Sequence, residues 1–223
     1  AGRQCVVEFS GNHFVIDGDQ LYIHDGSQAT RIGKDMFDVE FFNYPNVALG
    51  EKWNAGFKHA RTLKPEAVLF VGSSDWVEDN WVERSLIELQ QYEMVGTLGC
   101  YLLDVKIPGG RRLVHWPGYG KGERKEEPIG IGRMISARIL DKFNWEPFDS
   151  TKNHSMDWQM WHNVLNNGGK VKILEGKTLS ISTNMWPNKH RFEEHWLGPL
   201  KSNRMEVNGF LNEYFPEAIN LFK

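Results

Sequence analysis

The sequence predicts an α/β protein: one compact domain with a mostly parallel central sheet, helices on both faces and a small antiparallel appendage. Three observations predict it. Apolar runs of strand length alternate with helix-period stretches up to about residue 105. The run Val68–Val71 is apolar throughout and breaks into the small polar turn Gly72-Ser73-Ser74-Asp75, as a covered strand of such a sheet does. Past residue 105 the pattern becomes more mixed, which is the expected appendage.

The elements follow in order. Residues 5–10 read as a short strand. Residues 14–16 and 21–23 read as two more, and Asp17-Gly18-Asp19 between them suits a hairpin turn. His24-Asp25-Gly26-Ser27 is a strand-end turn carrying an acid. Val39–Phe42 is a further strand, ending at Asn43-Tyr44-Pro45-Asn46. Leu49–Arg61 reads as a helix because Trp53, Phe57 and Ala60 recur at i, i+4 and i+7, with Gly50 where the chain turns into it. Pro65 separates that helix from the Val68–Val71 strand.

Asn80-Trp81-Val82-Glu83 has capping-box spacing, and Val82, Leu86 and Leu89 are the expected buried stripe of the helix that follows. Thr97–Val105 reads as one strand. Residues 108–128 carry five Gly, three Pro and many charges, which predicts a long mobile loop with a short strand at Leu113–Trp116. Loops of that length serve as lids or as solvated excursions. Ile129-Gly130-Ile131-Gly132-Arg133 is too weak for a phosphate loop and reads as close backbone packing near a ligand. It leads into a helix over Ser136–Phe143. Ser155 is the expected cap of a helix over Met156–Asn166, with Trp158, Trp161 and Leu165 on its apolar side and Gly168-Gly169 as its stop. Asp157 falls in the first turn, where the helix dipole favours a carboxylate. Val171–Leu174 and Leu179–Ile181 read as strands, and Phe210–Phe215 as an amphipathic piece.

Composition narrows the function. A net charge of −3 over 223 residues provides no basic excess for phosphate backbones, so nucleic acid is not an expected partner. No apolar run reaches transmembrane length and no secretory leader is legible, which predicts a cytoplasmic chain without a membrane span. Cys5 and Cys100 form no metal or redox motif, and two free thiols are the expectation. Asn153-His154-Ser155 is a formal glycosylation acceptor with no meaning outside a secretory route. His190 and His195 stand five apart, which turns them to different helix faces and argues against a zinc hydrolase. What remains is a set of polar groups at strand and helix ends: Asp25, Gly50–Asn54, Asp75 and Asp157. One carboxylate of such a set can hold a hard cation against phosphate oxygens, while another acts as base or nucleophile.

These residues resemble a family. Leu21–Ser27 is similar to the strand-plus-DDGS element of GT-A fold glycosyltransferases, especially the large family 2 group. Pro45–Phe57 resembles that family's helix entry, and Val68–Asp75 its metal motif. Pro128–Phe148 is similar to the stretch before the acceptor helix, and Ser155–Leu174 to the segment that carries the base. The resemblance runs from about residue 20 to about residue 185. It implies a single Rossmann-like GT-A domain, with residues 1–105 as the donor half and 106–223 as the acceptor half bearing a lid at 117–127.

The implied activity is a hexosyltransferase. It moves a sugar from a nucleoside diphosphate sugar, a UDP-sugar first, to an acceptor hydroxyl, with inversion implied ahead of retention and both left open. The resemblance implies Asp157 as general base. Asp25, Gly50, Lys52, Asn54, Ser74, Asp75 and Trp158 are the implied nucleotide and donor contacts. Asp75 and His190 are the implied ligands of Mn2+ or Mg2+. The chain departs from the family in three places. Gly72 and Ser74 stand where acids are usual, Ser155-Met156 replaces the acid before Asp157, and too few residues precede Asp25 for the family's first strand. The last point reads as a trimmed domain or a rebuilt N-terminal edge. An inactive carbohydrate-binding domain, suggested by nine Trp and the thinned motif, and a sugar-phosphate nucleotidyltransferase are the alternatives.

Overall fold

A computed structural model of the chain describes residues 5–7, 13–17, 20–24, 29–32, 38–40, 45, 47–72, 75–104, 112–120, 122–182, 204–216 and 218. It is a mixed α/β structure with two mixed sheets and five α-helices among these residues.

Five strands come before the first helix: β1 (Cys5–Val7), β2 (His13–Asp17), β3 (Gln20–His24), β4 (Ala29–Ile32) and β5 (Asp38–Glu40). Strands alone were expected before the first helix, and among the described residues the strand expected over 5–10 is present at 5–7, those over 14–16 and 21–23 at 13–17 and 20–24, with Ala29–Ile32 added. β1 and β5 pair in parallel, and β2, β3 and β4 form an antiparallel meander. The expected hairpin is present, with Asp17 opposite Gln20.

The larger part of the described chain is built on two sheets. The first has the order β12 (Val171–Ile173), β8 (Met94–Gly96), β11 (Arg133–Ser136), β6 (Ala67–Phe70). β12 pairs with β8 in parallel, and β11 pairs antiparallel with both β8 and β6. Three strands thus run one way and β11 runs against them, so the sheet is mixed rather than mostly parallel. β6 was expected to be a covered central strand. It is half-buried throughout and is the outer strand of its sheet among the described residues. The second sheet has the order β14 (Arg204–Met205), β10 (Arg112–Trp116), β9 (Cys100–Asp104), β13 (Thr178–Ser182), β7 (Asp75–Val77).

The two sheets have separate cores. α1 (Leu49–Thr62) lays Phe57 and Ala60 against the first sheet, together with Ile139 and Leu140 of α3 (Ala137–Lys142) and Met156, Met160, Trp161 and Val164 of α4 (Met156–Asn166). Trp53 and Phe57 both meet the Phe70 ring, at 3.7 and 5.9 Å between centroids. The expected periodicity of α1 is thus realised as packing. The second core gathers Leu103, Leu113, Leu179 and Ile181 under Phe210 and Leu211 of α5 (Val207–Tyr214). The Glu206 carboxylate caps α5 by accepting from the Asn208 amide at 2.8 Å and from the Gly209 amide.

Several local expectations are corrected by packing. In α2 (Trp81–Glu88) the wholly buried positions are Trp81 and Ser85, continued by Leu89, while Val82 and Leu86 are half-buried against a small third cluster. The Trp81 indole donates to the Gly132 carbonyl at 2.6 Å, a tether outside any amphipathic pattern. Asn80 precedes α2 without a side-chain capping bond. In α4 it is Met160 and Val164, not Leu165, that accompany Trp161 inward; Leu165 is exposed. Ser155 adopts a left-handed conformation and makes no capping bond. Ser136 belongs to β11 rather than to α3.

Candidate functional site

The two sheets are joined by short crossings. The chain passes from β6 to β7 through residues 71–74, from β8 to β9 through 97–99, and from β12 to β13 through 174–177. The strand expected over Thr97–Val105 is split by the second of these crossings. Asp75 and Cys100 are each the first residue after a crossing, so both stand at the seam between the sheets. Asp75 was expected to end the turn that begins at Gly72, and its amide donates to the Gly72 carbonyl at 3.0 Å; the same residue also opens β7, opposite Ser180 of β13. The chain returns from the second sheet to the first through residues 117–132, and that return brings Tyr119 and Gly130 to Asp157.

Asp157, in the first turn of α4, is held on both carboxylate oxygens. The Tyr119 hydroxyl donates to Oδ2 at 3.1 Å. Oδ1 faces the Arg133 guanidinium at 3.7 Å. A Cβ on Gly130 would lie 2.7 Å from Oδ1, so any larger residue there would make the carboxylate turn away. The expectation of close packing near Gly130 thus gains a partner, the acid itself.

Arg133 is 1% exposed. Its guanidinium donates to the carbonyls of Ile129 (3.3 Å), Asp157 (3.0 Å) and Pro128. Burial pulls it below the usual guanidinium range, and the charges of Asp157 and Glu127 draw it back. One buried cation thus ties β11, the 128–130 segment and the first turn of α4 to one another.

Tyr119 is built into its position. Gly118 and Gly120 on either side have φ of +91° and +59°, and a Cβ on Gly118 would meet the Leu98 carbonyl oxygen at 1.8 Å. The Arg124 guanidinium lies 3.4 Å from the centre of the Tyr119 ring, a cation–π distance, and Trp116 meets the ring edge-on at 5.2 Å. Arg124 is itself fixed by two bonds to Glu127, at 2.5 and 2.6 Å, and Glu127 has no exposed surface. Within the segment expected to be a lid, Arg124 thus binds both Tyr119 and Glu127, and Tyr119 reaches out of it to Asp157 of α4. Burial and the Asp157 charge push the Tyr119 phenol up to about 12.

Asp75 has a different setting. Its Oδ2 accepts from the Gly72 amide at 3.1 Å, and Ser180 gives it a second hydrogen bond. Burial nevertheless raises its carboxyl above the usual range, and the charge of Asp157 raises it further. Cys100 is a free, buried thiol raised in the same way, first by burial and then by the charges of Asp75 and Asp157. The two carboxylates and the thiol therefore share one electrostatic neighbourhood.

The remaining expected residues fall elsewhere. Asn54 is 2% exposed, and its amide is engaged by the 148–150 loop: it donates to the Phe148 carbonyl (2.8 Å) and Ser150 Oγ (3.1 Å) and accepts from the Phe148 amide (3.1 Å). Gly50 packs on the Asp149 carbonyl and donates to that of Lys152 at 2.9 Å. Asn153 Oδ1 accepts from the Leu49 amide at 2.8 Å. These contacts dock the start of α1 on the loop that leads into α4. Lys52 is half-buried on α1. Trp158, next to Asp157, is half-buried, with His162 at 3.7 Å and Trp161 at 5.6 Å between ring centroids and Arg124 5.7 Å from its ring. Asp25, Ser74 and His190 lie outside the described residues. Among the described residues no three His, Cys, Asp or Glu side chains gather as a metal site. No helix among them is long and apolar enough to cross a membrane.

Sequence reasoning reached Asp75 and Asp157 but did not single out Tyr119, Arg124, Glu127 or Cys100. One signal was present: Tyr119 stands between two glycines, a pattern that presents a side chain from a turned backbone. No protein-family model and no curated protein matches the chain.

Proposed function

We propose that the chain is a GT-A-like glycosyltransferase of the hexosyltransferase type. It transfers a sugar from a nucleoside diphosphate sugar, a UDP-sugar first, to an acceptor hydroxyl with inversion at the anomeric carbon. The observation that carries this reading is the placing of two differently held acids: Asp75 opens β7 where the chain crosses from the first sheet to the second, and Asp157 starts α4 between Tyr119 and Arg133, with its charge raising the Asp75 carboxyl. The sheet order supports it, since β6, β8 and β12 run together and the site lies where the chain leaves two of them, β6 and β8.

Asp157 is the base. As the acceptor oxygen bonds to the anomeric carbon, Asp157 takes the hydroxyl proton, and the bond to the diphosphate breaks with its electron pair on the departing oxygen. Arg133 fixes the backbone carbonyl of Asp157 and faces one of its carboxylate oxygens, so the base is aimed before the acceptor arrives. Asp75 fits a hard cation: its charge is penalised by burial and only partly offset by Gly72 and Ser180. When bound there, Mn2+ or Mg2+ would supply positive charge against the departing diphosphate. The implied ligand His190 and donor contacts Asp25 and Ser74 complete the proposal. Gly50 and Asn54 support it indirectly, by holding the loop that leads into α4.

Titration calorimetry with UDP, with and without Mn2+, tests the reading together with Asp157→Asn. Cation-dependent UDP binding that survives in the variant, with sugar transfer lowered about 10²-fold or more, is the expected result. UDP binding that ignores the cation, or a fully active variant, would remove the proposal. Sugar binding without a nucleotide effect would favour the carbohydrate-binding alternative.

A further inference from the structure

We infer that Tyr119 is a positioning residue for Asp157, its hydroxyl holding one carboxylate oxygen while Gly130 and Arg133 bound the other. The inference rests on the reading of Asp157 as base and adds to it the group that sets the plane of that base. A carboxylate free to rotate offers its lone pairs over a wide range of angles, and misplacement by about 1 Å can cost 10²-fold in rate. Here rotation is opposed from two sides. Tyr119 donates to Oδ2 at 3.1 Å, and Oδ1 lies in the notch beside Gly130, facing Arg133.

The donor is itself constrained in a way that a chance surface contact is not. Gly118 and Gly120 turn the backbone on both sides of Tyr119. The ring lies under Arg124, which is clamped by the fully buried Glu127, and its edge is met by Trp116. The phenol, pushed up to about 12, keeps its proton throughout the neutral range and so remains a donor. The charged groups facing this pair are Arg124 and Glu127 from its own segment, Arg133 from β11 and Asp75 from β7.

Tyr119→Phe removes the hydroxyl and keeps the ring between Arg124 and Trp116. The assay is UDP release from UDP-glucose, UDP-galactose and UDP-N-acetylglucosamine with Mn2+, which reads transfer to water. The expected result is a kcat lower by about 10-fold, from a base no longer held in its plane, with donor KM unchanged. An ultraviolet titration of the tyrosines in Asp157→Asn should show one phenol ionising at lower pH than in the parent protein, because the neighbouring charge is gone. A Tyr119→Phe kcat equal to or above that of the parent overturns the inference, and so does an unchanged tyrosine titration. With Asp157→Asn inactive, that failure belongs to Tyr119 alone. A fully active Asp157→Asn, or no UDP release by the parent protein from any donor, removes the base or the transferase reading, and the inference falls with it.

Discussion

Asp157 and Asp75 lie close enough for one to feel the other, yet the fold treats them in opposite ways. Asp157 is gripped. It has a phenol on one oxygen, a buried guanidinium facing the other, and a glycine shaped around it. Asp75 has a backbone amide and a serine, and burial leaves its charge poorly compensated. On the proposed reading the difference separates two kinds of acid. A proton acceptor for catalysis must be aimed in advance, so it is surrounded by fixed donors. An acid that completes its shell with a bound cation is left short of partners until the cation arrives.

If Asp157 is held by a network, breaking the network should do the most damage. Arg133→Met strands the carbonyls of Pro128 and Ile129 and leaves Asp157 without its cation. The expected destabilisation is about 3 kcal/mol, read from a urea melt. A loss near zero would mean that Arg133 is not what ties β11 to α4. Asn54→Ala acts on the support rather than the site. It strips both backbone groups of Phe148 of their partner, and about 2 kcal/mol of stability should be lost, with the residual transfer activity per folded molecule nearly unchanged.

A smaller change sharpens the same contrast. Gly130→Ala places a methyl 2.7 Å from Asp157 Oδ1, so the carboxylate must turn. Transfer should fall about 10-fold while UDP binding is kept; equal losses in both would show that the two ends of the site are not separable. The smallest expected effect belongs to Asp75, and it has the opposite sign. Its carboxyl is raised in the folded chain, so the folded state holds that proton more tightly than the unfolded state does. Stability from this group is present below the ordinary carboxyl range and is lost as pH rises toward the folded value. At neutral pH in a chelator, Asp75→Asn should therefore melt about 2–4 °C higher than the parent protein while losing its Mn2+-dependent UDP binding. A lower melting temperature would mean that Asp75 is already compensated in the metal-free protein.

How much of this was legible beforehand follows from the range of the interactions. The periodicity of α1 and α4, the strands at β6, β10, β12 and β13 and the placing of Asp157 in a first helical turn all come from neighbours within a few residues. The errors share a cause as well. Leu165 and Val82 are apolar and correctly spaced, yet inward position was decided by which side of each helix met a sheet, and Trp81 went inward for a carbonyl 51 residues away. The split at 97–99 looks locally like more strand; only the meeting of two sheets interrupts it.

The sequence by itself determined a mixed α/β chain, the helix and strand periods, and two acids at the ends of elements. Those follow from local sterics and from the alternation of apolar and polar side chains. Only the tertiary structure decided that β11 runs against its neighbours, that Asp75 opens a strand, and that Tyr119, Arg133 and Gly130 close around Asp157. Each of these depends on contacts between residues 24 or more apart in the chain, with Arg133, 24 residues from Asp157, the nearest of them. Hydrogen bonds and steric fits over such separations leave no periodic trace in the order of residues.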